Sequence, residues 1–383
     1  MFNTSYIEIN QNNLKSNIKY LKNILGEDVC LAPVVKGNAY GHGLEQIVSI
    51  LSECPEVSTV CVYSADEALN VFNKNHGVLN IIIMGWLEDS EIEWAIQNDI
   101  QYYVFNFDRL EKTIEISKKI RKLAKIHVEL ETGMNRTGFG KNEITNLVNS
   151  LKASKDNISF EGLCTHYAGA ESIANYYRVK KQYKLFNSFK QKFILNDLIP
   201  KSYHSSSSAA TMTYPKMRMD LVRVGILNYG YWPSSETFIA FSTKNKLHED
   251  PLKRIISWKT KIMSIKHVKK GEFIGYGNYY FAERNTVIAV IPVGYSHGYS
   301  RSLSNLGHVL VHGRRTGVIG IVNMNLSIID ITDIPNVQRG DEVVLIGDQE
   351  DKSISVASFT QMSDQLNYEL LTRLPSEIPR III

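Results

Sequence analysis

Short apolar runs rich in valine and isoleucine recur through the first half of the chain, at 30–35, 59–63, 81–84, 102–105, 125–130, 160–163, 202–204 and 221–224. Each is too short for a buried helix and is bounded by turn-forming residues, so the runs predict strands. Between them, the segments 44–51, 65–72, 92–97, 110–123, 142–151 and 176–195 carry apolar positions at helical spacing. Strands alternating with helices predict a parallel sheet with helices outside, and eight such units fit a (β/α)8 TIM barrel.

The texture changes after Gly230-Tyr231-Trp232-Pro233-Ser234-Ser235, where a polar stretch follows over 243–250. Short β runs then dominate, at 258–265, 287–292, 308–311, 315–321, 327–330 and 342–346, punctuated by Gly, Asn and Asp. This pattern predicts two domains, the barrel over 1–235 and a compact all-β domain over 236–383. A final helix-like stretch over 356–370 precedes Pro375 and the apolar end Ile381-Ile382-Ile383.

With 383 residues, 44% of them hydrophobic, the chain can bury a large core. Its 43 basic and 39 acidic residues are dispersed, which argues against nucleic acid and favours a small-molecule partner. Cys30, Cys54, Cys61 and Cys164 lack paired metal-ligand spacing, so they read as free thiols and no metal is expected. Met1-Phe2-Asn3-Thr4-Ser5 has no basic segment leading into an apolar one, and no apolar run reaches membrane-spanning length. A cytoplasmic enzyme without a membrane partner is the expectation.

In a barrel of this kind the active site lies at the C-terminal strand ends. There the sequence places Lys36 and Tyr40, then Glu129, Glu131 and Arg136, then Thr165-His166-Tyr167, His204-Ser205-Ser206-Ser207-Ser208 and Arg223-Val224-Gly225-Ile226. Lys36 leaves an apolar strand among the glycines of Lys36-Gly37-Asn38-Ala39-Tyr40-Gly41-His42-Gly43, which let backbone approach a ligand closely. A serine run at strand seven and a glycine at strand eight occupy the position of a barrel phosphate site. A lysine with a phosphate pocket points to pyridoxal 5'-phosphate as cofactor. Taken singly, His166 reads as a core histidine, and Tyr276, Tyr295 and Tyr368 read as packing residues.

The segment Pro33 to Gly43 resembles the lysine segment of the alanine racemase family. Glu131-Thr132-Gly133-Met134-Asn135-Arg136-Thr137-Gly138, Thr165-His166-Tyr167, Leu221-Val222-Arg223-Val224-Gly225-Ile226, Gly275-Tyr276-Gly277, Pro292-Val293-Gly294-Tyr295 and Asn367-Tyr368-Glu369 follow in family order. The resemblance implies a pyridoxal-phosphate enzyme built from a barrel and a C-terminal β domain. Lys36 is similar to its Schiff-base lysine and first base. Tyr276 resembles the second base, which the family takes from the other subunit, so a homodimer with a shared site is implied. Tyr40, Ser208, Gly225, Ile226 and Tyr368 match phosphate positions. His166 and Arg223 match a pair in which the histidine orients an arginine facing the ring nitrogen, and that cation makes the ring a weaker electron sink. Arg136, Tyr295 and Met324 match the substrate side. A second base working near neutral pH needs a lowered tyrosine pKa, so a cation or hydrogen-bond donor is expected near Tyr276.

Three positions depart from the family pattern. Glu129 stands where many members carry a carbamylated lysine, and its carboxylate is expected to supply the anion that holds Arg136. Asn325 follows Met324 where aspartate is usual, and Ser207 replaces an asparagine. The implied activity is interconversion of L- and D-alanine, feeding peptidoglycan synthesis. A racemase for serine, lysine or several amino acids stays open, as does a non-catalytic pyridoxal-phosphate carrier. A barrel-type decarboxylase is disfavoured by Arg223, because its ring-nitrogen partner is usually acidic.

Overall fold

A computed structural model describes residues 3–75, 77–356 and 367–383, without the side chains at 367 and 368. The chain divides into two compact units, one of 12–36 and 47–254, the other of 1–11, 37–46 and 255–383. The sequence suggested one break near 235; the chain instead crosses between units after Gln11, Lys36, Gln46 and Arg254.

Strand β1 (Ser5–Ile9) belongs to the second unit. In the first unit, eight parallel strands follow: β2 (Cys30–Pro33), β3 (Thr59–Val62), β4 (Asn80–Ile83), β5 (Gln101–Val104), β6 (Ala124–Glu129), β7 (Ile158–Cys164), β8 (Ser202–His204) and β9 (Leu221–Val224). Strands β3 to β8 form one sheet in sequence order, and β2 pairs with β9. Parallel bridges Val34↔Cys61 and Ser207↔Arg223 join the two pieces into the expected (β/α)8 ring. All four residues of β3 are buried, as are three of four in β4 and β5, the burial pattern of parallel strands covered on both faces.

The helices outside the ring bury one stripe each, for example Ile144, Leu147, Val148 and Leu151 of Ile144–Ala153. The helix Gln11–Leu25 was not among the predicted elements, although Leu14, Ile18, Leu21 and Leu25 form its buried stripe. Asn17 breaks the apolar pattern there. Its amide is buried, donates to the carbonyls of Asn228 and Lys253 and accepts from the Lys253 N–H.

Among the described residues, the second unit forms a ten-stranded, largely antiparallel sheet. Its strands after β1 are β10 (Ile256–Lys261), β11 (Ser264–Val268), β12 (Thr286–Ile291), β13 (His308–Val311), β14 (Arg314–Ile319), β15 (Ser327–Asp330), β16 (Glu342–Gln349), β17 (Lys352–Ile354) and β18 (Arg380–Ile382). The order is β11-β12-β15-β14-β13-β16-β10-β1-β18, with β17 on β16. Burial alternates along β1 and β10, as antiparallel strands with one covered face require. The single run expected over 258–265 is two strands, and the helix expected over 356–370 falls largely outside the described residues, which resume with the helix Asn367–Thr372.

Candidate active site

Pairing continues past β2, with the Val34 N–H bonded to Val224 O at 2.7 Å and the Val35 N–H to Cys61 O at 2.8 Å. Lys36 is the first residue beyond this clamp, exposed at the strand end. Its amine is nonetheless held below the usual lysine pKa, first by desolvation and then by the charge of Arg136, while Glu67 opposes. A lowered pKa raises the fraction of free amine, the form that attacks a carbonyl or accepts a proton.

Immediately after Lys36 the backbone turns left-handed: φ is 63° at Gly37, 53° at Asn38 and Ala39, and 55° at Tyr40. Non-glycine residues there cost roughly 1–2 kcal/mol each, and local bonds hold them. Asn38 Oδ1 accepts from the Leu44 N–H at 2.8 Å, and Gly41 N donates to Gly37 O at 2.9 Å. A Cβ on Gly41 would lie 1.8 Å from Leu371 O, so only glycine lets this turn meet the helix Asn367–Thr372 so closely. That contact brings the Tyr40 turn and the Tyr368 helix together within the second unit; the Tyr368 side chain lies outside the described residues.

Arg136 sits on a loop pinned at its base by Leu130↔Phe139 bridging and shaped by Glu131. The Glu131 carboxylate accepts from the N–H groups of Gly133, Met134 at 2.8 Å, Asn135 at 2.8 Å and Arg136 at 3.3 Å. Glu129 is buried and accepts from the Thr137 hydroxyl at 2.7 Å. No ion pair joins it to Arg136 among the described residues; the two interact through space, and desolvation raises the Glu129 pKa against the opposing pull of Thr137, Arg136 and Arg223.

Arg223 is buried in the ring. Its Nη1 contacts His204 Nδ1, and Nη2 donates to Thr165 O at 2.9 Å and Ser205 O at 3.4 Å. The histidine that hydrogen-bonds Arg223 is therefore His204, which corrects the pairing expected with His166. The correction has a simple cause: His204 ends β8, the strand beside β9, whereas His166 lies past the end of β7. His166 is held neutral, its pKa lowered to about 3 by burial and then by Arg223, Arg136 and Lys36. The buried Gln182 fastens this loop, accepting from the Ala168 N–H at 2.9 Å and donating to His166 O at 3.0 Å. Ser208 Oγ accepts from the Gly225 N–H at 2.9 Å, joining the loops after β8 and β9, with Ile226 next in the chain.

Lys36, Arg136 and Arg223 gather three cations at the strand ends, which suits a ligand with anionic groups. With both Nη atoms engaged, the Nε–H of Arg223 has no acceptor among the described residues. A donor-only cation with one N–H to spare fits an unprotonated ring nitrogen, and the Ser208–Gly225 junction fits a phosphate. The residues present thus fit pyridoxal phosphate.

In the second unit, Tyr276 lies between Gly275 and Gly277, both at positive φ, at the end of a finger closed by the Phe273↔Phe281 bridge. No described residue hydrogen-bonds its hydroxyl, so the donor expected beside it is not found among the described residues. Tyr295 and Met324 are brought together, the Tyr295 N–H bonding Asn323 O and the Ser296 N–H bonding Met324 O, each at 3.0 Å. Asn325 Nδ2 donates to Ser296 Oγ at 3.0 Å. The residues that sequence reasoning passed over are Gln101, His127 and Thr137. The only signal was a histidine inside the apolar run of β6.

Two family models match, "Alanine racemase, N-terminal domain" over 9–233 and "Alanine racemase, C-terminal domain" over 255–382. An alanine racemase of Leptospira interrogans serogroup Icterohaemorrhagiae serovar copenhageni is 33% identical, with 99% of this chain and 96% of the relative covered. The alanine racemase structure from Clostridium difficile 630 superposes with a TM-score of 0.90 at 30% identity, covering 100% of this chain and 96% of that one. An alanine racemase from Bartonella henselae with covalently bound pyridoxal phosphate has a TM-score of 0.84 over 100% of both chains; at 23% identity it speaks to fold alone.

A parallel barrel with a poised lysine, followed by an antiparallel domain, is the architecture of an isomerase class, the barrel-type amino-acid racemases. Full-length similarity in sequence and structure narrows the class. The chain belongs to the alanine racemase family.

Proposed function

We propose that this chain interconverts L- and D-alanine with pyridoxal phosphate as cofactor, Lys36 and Tyr276 acting as the two bases. The observation that carries the reading is Lys36: an amine desolvated at a barrel strand end, beside Arg136 and in the same site as Arg223. When bound, pyridoxal phosphate supplies an electron-withdrawing system that acidifies the α-proton of an attached amino acid. Lys36 Nζ holds and returns that proton on one face. Tyr276 Oη, contributed by a second copy of the chain in a homodimer, serves the other. Arg136 orients the substrate carboxylate, assisted by the buried charge of Glu129, with Tyr295 and Met324 on the substrate side. Ser208, Gly225, Ile226, Tyr40 and Tyr368 hold the phosphate, and Arg223 the ring nitrogen, with His166 beside it.

Exposed aromatics on the Tyr276 finger support the shared site, since Phe273, Tyr279 and Phe281 are each about half exposed or more in the single chain. Four free cysteines accord with a cytoplasmic setting, where D-alanine would feed peptidoglycan synthesis. The 236–383 segment would then be the domain that completes the other copy's site.

The test is α-proton exchange in deuterated water, with pyridoxal phosphate present, across alanine, serine and lysine. Alanine is expected to exchange fastest, and the product to be racemic. Absence of exchange from alanine would reject the reading, and faster exchange from serine or lysine would reassign the substrate.

A further inference from the structure

Behind Arg223, a row of buried polar groups runs through the barrel wall. His204 Nε2 lies 2.8 Å from His127 Nδ1, and His127 Nε2 lies 2.7 Å from Gln101 Oε1. Both rings are fully or almost fully buried. The row starts at partly buried Gln101, the first residue of β5, and ends at Arg223 in β9, so it runs from the N-terminal face of the barrel toward the strand ends that carry the site.

We propose that Gln101, His127 and His204 form a one-way hydrogen-bond chain that fixes Arg223 as a donor, with Gln101 its outermost positioning residue. Arginine has no acceptor, so His204 must receive the Arg223 N–H at Nδ1 and carry its own proton on Nε2. That Nε2–H can only donate to His127 Nδ1. His127 in turn carries its proton on Nε2 and needs an acceptor beyond it, which the Gln101 carbonyl oxygen provides. One donor-only residue at the inner end thus sets every proton in the row. Burial and the guanidinium charge keep both rings uncharged, which the row requires. Gly162 makes the contact possible: a Cβ there would stand 2.0 Å from His127 Nδ1 and 2.8 Å from His204 Nε2. The bonds follow one another without a break, so each polarises the next and points lone pairs at the guanidinium. Reversing the row would set an N–H of His204 against an N–H of Arg223.

The chain acts on the residue that the proposed function assigns to the ring nitrogen, and its catalytic meaning rests on that reading. The proton positions do not. They are read on cofactor-free native protein carrying 15N-histidine, from long-range 1H–15N spectra near neutral pH. Two rings protonated at Nε2 are expected at His127 and His204; an Nδ1–H tautomer or an imidazolium at either overturns the proposal without any variant.

Direction is tested at Gln101, which is partly buried at the start of β5. Gln101→Glu keeps an acceptor and should retain both tautomers. Gln101→Lys offers only donors and should remove the Nε2–H pattern from His204, shift the visible absorption of bound pyridoxal phosphate and lower kcat about tenfold, the scale for a partner one layer behind a site. Equal spectra and equal kcat for the two variants, both folded by circular dichroism, would overturn the directional role. Loss of racemisation in native protein, with the tautomers as expected, would count against the proposed function and leave the chain of bonds standing.

Discussion

Arg223 in the barrel unit is 5% exposed and bonded to three acceptors, whereas Tyr276 in the β unit is 72% exposed with a hydroxyl that bonds no described residue. The same contrast holds around them. Glu129 and Ser208 are buried and bonded within the barrel, while Tyr295 and Met324 are exposed on loops held by backbone. The barrel side chains are pre-organised within their own unit, held by bonds and packing. The β unit instead offers exposed side chains, and no described residue hydrogen-bonds the Tyr276 hydroxyl.

The largest effect comes from separating the two halves. Lys36→Ala should abolish racemisation, and Tyr276→Phe should lower it by about 10²–10⁴, the range for a lost acid–base group. Mixing the two inactive variants under conditions of subunit exchange should restore about one quarter of native activity, because half of the dimers are mixed and each has one intact site. No recovery, with exchange shown by mass, would mean that both bases come from one chain.

Acid should divide the halves by stability. Burial holds His42 down to about 4 and His127 and His166 to about 3, and His204 also lies well below its ordinary 6.5. Between 6.5 and about 4 the unfolded chain binds protons that the folded chain refuses, so stability falls as pH is lowered, by about 1.4 kcal/mol per unit for each imidazole. Glu129 works in the opposite sense: its raised pKa gives stability at low pH that is lost as pH rises through its folded value. One carboxyl does not offset four rings. Three of the four lie in the barrel unit, so urea unfolding followed at about pH 7 and about pH 5 should show the barrel losing more than the β unit. Equal or greater barrel stability at the lower pH would contradict the neutral rings.

Within the barrel, Glu129→Gln keeps an oxygen for the Thr137 hydroxyl and removes only the charge felt by Arg136. We expect KM for the amino acid to rise about tenfold with a smaller change in kcat, the signature of weakened carboxylate binding. A fall in kcat at constant KM would place Glu129 elsewhere in the reaction.

The two regions also differed in how much their sequence disclosed. Parallel strands buried on both faces read as unbroken apolar runs, so β2 to β9 were visible, and strand ends located Lys36, Arg136 and Arg223. The helix Gln11–Leu25 went unread because buried Asn17 interrupts its stripe, a polar residue whose partners are distant in sequence. Distance also hid the chain behind Arg223: Gln101, His127 and His204 come from three strands, and only register makes them neighbours. His166 was matched to Arg223 by motif order, yet spatial order favours the adjacent strand. The β unit disclosed Tyr276 only through the resemblance carried by Gly275-Tyr276-Gly277, since nothing local marks an exposed tyrosine as a base.

The smallest effect tests those glycines. A Cβ on Gly275 would meet only Ile328 Cδ1 at 3.6 Å, an ordinary contact, so Gly275→Ala has room and its cost is conformational. At φ +80° that cost is about 1–2 kcal/mol, concentrated in the finger rather than the sheet. The finger should relax and carry Tyr276 away from its native position. The expected result is a several-fold fall in kcat, with the cofactor absorption and acid stability of the barrel unchanged. Gly41→Ala makes the control, because its Cβ would collide with the Leu371 carbonyl and should destabilise the whole β unit. If Gly275→Ala left kcat at the native value, the position of Tyr276 would not depend on the finger's backbone, and the β half would be less demanding of geometry than the barrel half.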